Sequence, residues 1–96
     1  VVDVRKQSKN FGKYFSIILD ASSKTSFWIP RGYAHGFLAL SNSATFSYLV
    51  DNFYDPASEK TILWNDLDLS INWGIESPLI SRKDLLGLKF SDAPSL

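Results

Sequence analysis

His35, the one histidine in the chain, sits within "WIPRGYAHGFLAL" (28–40), between a turn containing proline and glycine and a run of large apolar residues. An imidazole placed there could be a packed core residue or could line a pocket. The next aromatic-rich run, "TFSYLVDNFY" (45–54), carries Tyr48 at its centre. On extended backbone, residues two apart share a face, so His35, Phe37 and Ala39 point one way, and Phe46, Tyr48 and Val50 share a face on the following strand. The length of the intervening loop decides whether the two faces coincide. A two-residue loop (Ser41–Asn42) or a four-residue loop (Ser41–Ala44) pairs odd positions with even ones and brings imidazole and phenol to one side. A three-residue loop separates them. The small, polar character of Ser41–Ala44 favours the even length, and with it a shared concave face where a barrel would hold a ligand. The plainer alternative is a hydrogen-bonded structural histidine and a packing tyrosine with its hydroxyl at the rim.

The charged residues further on also read two ways. Asp84 follows Ser81 by three positions and precedes Leu85 and Leu86, the spacing of a helix capping box. Glu59 lies four residues after Asp55 in "DPASEK", where it could be first-turn helix charge, and Lys83 could be solvated surface. Metal chemistry finds little support: the chain has no cysteine and no H-x-H motif, and a single histidine cannot make a site.

The elements that must position these groups are mostly strands. "VVDVR" alternates apolar and polar residues as a half-buried strand does. After a turn at Ser8–Gly12, "KYFSIILD" reads as a second strand. "ASSK" (21–24) is turn material, and "TSFWI" is a third strand ended by Pro30. "RGYA" (31–34) turns the chain into a fourth strand, "HGFLAL", and "TFSYLVDNFY" is the fifth. "DPASEK" supports one helical turn. "TILW" (61–64) is a brief sixth strand, "NDLDLSINWG" (65–74) is irregular with buried aromatics, and "LISRKDLLGL" holds a short helix beginning near Ser81. The tail "KFSDAPSL" (89–96) is loop. Six short strands at regular spacing predict an all-β sandwich or barrel with a short C-terminal helical turn.

At 96 residues there is room for one small domain, burying roughly 60–65% of its unfolded surface. The chain is 45% hydrophobic and 15% aromatic, which marks it as globular. Ten basic and ten acidic side chains balance, with no basic stripe, so neither nucleic acid nor a membrane surface is the expected partner. No apolar run approaches the roughly 18 residues of a membrane helix. With no signal peptide and no cysteine visible, the expected location is cytoplasmic. There is no methionine, and the opening "VVDVR" reads as the middle of a strand, so the natural start is expected upstream.

Several motifs in register carry a resemblance: "VVDVR…FGKY", "WIPRGYAHGF", "YLVDNFYDPASE", "ILWNDLDLSINW" and "SRKD". In this order and spacing the sequence closely resembles the dTDP-4-dehydrorhamnose 3,5-epimerases, cupin-like enzymes, along nearly its whole length. The resemblance implies that residues 1–96 are the C-terminal part of a single cupin-like jelly-roll domain whose N-terminal part is missing. It implies inversion of two carbons flanking a keto group on a dTDP-sugar, without metal or cofactor, by a homodimeric cytoplasmic enzyme. The ketone acidifies the neighbouring C–H bonds, so the reaction needs a base on one face, an acid on the other and a group to steady the enolate.

Carried over position by position, Tyr48 matches the tyrosine that returns the proton opposite the base, a role that suits a phenol, which is protonated at neutral pH. Asp84 matches the aspartate that orients the catalytic base. His35, Glu59 and Lys83 match substrate-binding positions, with Tyr54 beside the same pocket. The histidine base and the enolate-steadying lysine lie upstream of Val1 in the family. Phe53 stands where tyrosine is common, and Leu67 and Gly74 replace usual prolines; the Phe53 change bears on pocket polarity and on the substrate. Two other functions stay open: a non-catalytic cupin-like module that binds a sugar nucleotide or dimerises, and a related single-centre epimerase or ketoisomerase.

Overall fold

A computed structural model describes residues 1–94; the last two residues of the expected C-terminal loop lie outside the described residues. The packed body is built around β1 (Val2–Asp3), which pairs antiparallel with β2 (Tyr33–Ala34) in the register Val2 to Ala34 and Asp3 to Tyr33. On its other edge β1 meets Tyr14 through a single antiparallel bridge between Val2 and Tyr14. Backbone bonds from Asp3 N–H to Lys13 O (3.1 Å) and from Gly12 N–H to Asp3 O (2.9 Å) close that loop against the strand. A left-handed φ of 78° at Gly12 makes the reversal.

Strand alternation predicts that Asp3 faces solvent while Val2 and Val4 face inward. All three are buried, and Asp3, at 1% exposure, is more deeply buried than either valine. A carboxylate can be held there because every oxygen has donors. Arg5 supplies its backbone N–H (3.0 Å) and Nε (2.9 Å) to Oδ1 and its Nη2 (2.8 Å) to Oδ2, and Ser8 Oγ donates to Oδ2 (2.6 Å). The apolar core is small: Val2, Val4 and Leu69, packed against Ala34, Ile62, Ile71 and Phe90.

The second half of the chain ties into this core through short contacts. Asp66, also buried, accepts backbone N–H bonds from Asp68 (2.9 Å) and Leu69 (3.1 Å) on Oδ1 and from Phe90 (2.8 Å) on Oδ2. Its carboxyl is thereby held below the usual carboxylate range, chiefly by the Phe90 N–H. In the irregular 65–74 segment, Asp66 and Leu69 are the buried residues. The aromatic burial expected there is only partial, since Trp73 is half-buried, with Nε1 donating to Trp64 O at 2.8 Å. The helix α1 (Arg82–Leu85) is one turn long, and a 3-10 helix at Phe90–Asp92 occupies part of the tail expected to be loop.

Most of the expected strands do not form ladders. Pairing begins at Tyr33, inside the segment expected to be turn, so that turn shrinks to Arg31–Gly32. "TILW" contributes one parallel bridge, Ile62 to Leu88. Residues 16–29 and 35–54 form no strand, and most of their large apolar side chains are uncovered, Leu49 and Phe53 almost completely, while Phe27, Ile29 and Leu38 are half-buried. The physical reason is topological: sheet pairing needs a partner strand at the right distance, and these segments meet none among the described residues. The fold is therefore mostly non-helical, with a two-stranded antiparallel sheet and short helical turns. Among the described residues no helix is long and apolar enough to cross a membrane.

Candidate functional site

The site residues lie where the long excursion at 35–60 leaves the packed body and returns to it. His35 is exposed in this chain and follows directly on β2. Trp73 backs the next residue: a Cβ on Gly36 would lie 3.5 Å from its ring.

Between His35 and Tyr48, side chains meet where the backbone does not. The Phe37 and Phe46 rings stack with centroids 4.2 Å apart and planes 9° from parallel, and Phe46 contacts Tyr48 at 5.5 Å. Arg31 and Asp51 pair at 2.7 Å across the same two limbs. Phe37 on Phe46 sets an odd position against an even one, the pairing that an even-length loop at Ser41–Asn42 demands.

Three other expected site residues meet: Tyr54 and Glu59 from one turn, and Lys83 from the helical turn 24 residues further on. Where one helical turn is expected after Asp55, a hydrogen-bonded turn forms instead, with Ser58 N–H bonded to Asp55 O (3.1 Å) and Glu59 N–H to Pro56 O (3.4 Å). It presents Glu59 to two partners: Tyr54 donates its hydroxyl to Oε2 at 3.3 Å, and the Lys83 ammonium pairs with Oε1. Lys83 holds the Glu59 carboxyl below its ordinary range, and Glu59 in turn raises the Lys83 ammonium. Exposed ion pairs of this kind stabilise a fold little. What the contact does is keep a carboxylate, an ammonium and a phenol together at one place.

Gly87 explains how Lys83 arrives there. Leu63 N–H donates to Leu88 O and Leu88 N–H to Thr61 O, both at 2.8 Å, so the chain after α1 runs against residues 61–63. A Cβ on Gly87 would stand 2.9 Å from Leu63 N and 3.0 Å from the Ile62 carbonyl carbon, so only glycine permits the approach. Asp84 lies one residue past Lys83 on the same turn. The cap of that turn belongs to Ser81, whose Oγ accepts the Asp84 N–H at 3.2 Å. Among the described residues the Asp84 carboxylate makes no hydrogen bond, so the return half of a capping box is not formed.

The Asp3–Arg5 pair was not among the expected site residues. Its signal is present as D-x-R on one strand, since alternation puts residues two apart on one face where opposite charges can pair. Two open cavities lie nearby, about 450 Å³ beside Trp64 and Trp73 and about 340 Å³ along Val50–Phe53, and none of the six candidate residues lines either.

Comparison with known proteins agrees with the motifs. Residues 1–92 match the family described as dTDP-4-dehydrorhamnose 3,5-epimerase. Proteins of that name from Shigella flexneri and Pseudomonas aeruginosa are 48% and 44% identical to the chain, over 96% of its length and 51% of theirs. The Mycobacterium tuberculosis H37Rv protein is 36% identical over 96% of the chain and 47% of its own length. The chain thus spans about half the length of the curated relatives it matches. No solved structure matches it. With the family matched over nearly every residue, the chain belongs to the dTDP-4-dehydrorhamnose 3,5-epimerase family.

Proposed function

We propose that this chain forms the Tyr48–Asp84 half of an epimerase active site acting on a dTDP-sugar that carries a ketone, and that the rest of the enzyme is supplied by a region matching the other half of its relatives. The observation that carries the reading is the meeting of Lys83 with Tyr54 and Glu59, two segments 24 positions apart, at one point. A carboxylate, an ammonium and a phenol together offer acceptor, cation and ring for a sugar nucleotide.

In this reading a histidine base from the other half removes the proton beside the ketone, and Asp84, with a carboxylate uncommitted to the helix cap, orients that base. The carbanion becomes an enolate. Tyr48 returns a proton from the opposite face, so the carbon inverts, and His35 contacts the substrate on the face it shares with Tyr48. The ketone supplies the acidity, so neither metal nor cofactor is required. The uncovered apolar side chains of 16–29 and 35–54 support a cupin-like jelly roll completed by strands from the other half, as a homodimer. The balanced charge supports a small-molecule partner in the cytoplasm.

Tyr48→Phe in the full-length polypeptide tests the division of labour. The base can still take a proton and hand it back on the same face. Solvent deuterium is therefore expected at a carbon beside the ketone while inversion there falls by roughly 10²–10⁴-fold. The ring is kept, so the melting temperature should move by only a few degrees. Inversion at the wild-type rate would make Tyr48 a packing residue. Loss of exchange together with inversion would mean that the phenol also serves enolate formation.

A further inference from the structure

The backbone around His35 poses a problem of placement. From His35 to Asn52 no backbone–backbone hydrogen bond forms among the described residues, and the excursion is held by side-chain contacts alone, the Phe37–Phe46 stack and the Arg31–Asp51 pair. The nearest backbone anchoring to His35 lies at residues 32–34. There the anchoring is dense: β2 is paired to β1, Val4 N–H donates to Gly32 O at 3.0 Å, and Arg5 reaches across from two residues past β1.

Arg5 makes two kinds of contact with this segment. Its Nη2 donates to the Tyr33 hydroxyl at 3.0 Å, and its guanidinium carbon lies 5.0 Å from the centre of the Tyr33 ring. Its aliphatic stem packs beneath Gly32, where a Cβ would come within 2.6 Å of Cδ and 2.7 Å of Cγ, and Gly32 takes a φ of 90° that suits glycine alone. The guanidinium cannot drift, because Asp3 grips it through Nε and Nη2 and Ser8 braces the same carboxylate. Tyr33 and His35 are separated only by Ala34, so the anchored end of β2 adjoins the backbone that carries the imidazole.

We propose that Arg5 and Tyr33 are positioning residues that fix the place of His35 in the substrate site, with Asp3 as the clamp on Arg5. This inference rests on the reading that His35 contacts the sugar nucleotide. A one-ångström misplacement of a binding group is enough to weaken substrate capture severalfold or more.

The test is a double-mutant cycle on the full-length polypeptide with Tyr33→Phe, His35→Ala and the pair. Tyr33→Phe removes one hydroxyl and keeps the ring over Arg5, so it spares the fold that Arg5→Met would endanger. Tyr33→Phe alone is expected to raise KM by about tenfold with kcat within about threefold, the pattern of lost binding. In the His35→Ala background the same change should alter KM by less than about twofold, because the group it places is gone. An unchanged KM for Tyr33→Phe while His35→Ala raises it would overturn the positioning role and leave the site reading standing. Equal effects of Tyr33→Phe in both backgrounds would do the same. A His35→Ala enzyme with normal KM would sink the substrate-contact reading itself, and the inference with it.

Discussion

Asp84 distinguishes two jobs that one sequence pattern allows. The S-x-x-D spacing predicts a capping box, but the cap is made by the Ser81 hydroxyl and needs only the backbone N–H of Asp84. Asp84→Asn keeps that N–H, so stability should change by well under about 1 kcal/mol, whereas Ser81→Ala should cost about 1 kcal/mol. If the free carboxylate orients the catalytic base, Asp84→Asn in the full-length polypeptide should lower turnover by roughly 10²–10⁴-fold with an unchanged melting temperature. Normal turnover would return Asp84 to the helix end. Glu59 and Lys83 show the limit of reading charges singly. Each alone passes for first-turn charge or solvated surface, and their partnership spans 24 positions that no local pattern connects.

At the scale of elements, the local signals held where the physics is local. The turn at Asp55–Glu59, the short helix after Ser81 and the odd-on-even meeting of Phe37 and Phe46 all follow from turn chemistry, capping and alternation. Pairing did not follow, because a ladder depends on a partner strand that alternation in one segment cannot identify. Asp3 escaped for a related reason: alternation sets it facing outward, and only its pairing with Arg5 makes burial tolerable. That pairing predicts an acid limb. Arg5 holds the Asp3 carboxyl far below the usual carboxylate range, with Ser8 adding to the effect, so its folded value lies below its unfolded one. The stability it contributes is then complete above about pH 4 and is lost as the pH falls through the folded value. Urea midpoints of the full-length polypeptide should hold from neutral pH to about 4.5 and decline below. Asp3→Asn should lower the neutral midpoint and flatten that decline. A decline of undiminished steepness in Asp3→Asn would assign the acid limb to other carboxylates, Asp66 first among them.

At the scale of the molecule, three buried apolar residues form the core among the described residues, while most large side chains from Phe15 to Leu19 and from Phe37 to Tyr54 stand open to solvent. On the proposed reading, the relatives' other half would cover these side chains. The central claim is that this chain holds the acid and the substrate contacts but not the base. It is tested most directly by following solvent deuterium into a 4-keto dTDP-sugar by NMR, with the 96-residue chain alone and with the polypeptide spanning the relatives' full length. The account predicts no exchange and no inversion by the chain alone, which should run larger than a monomer or dissolve poorly, and deuterium at both carbons flanking the ketone with the full-length polypeptide. Exchange by the isolated chain at a rate comparable with the full-length polypeptide would contradict it, because the base would then lie within these 96 residues.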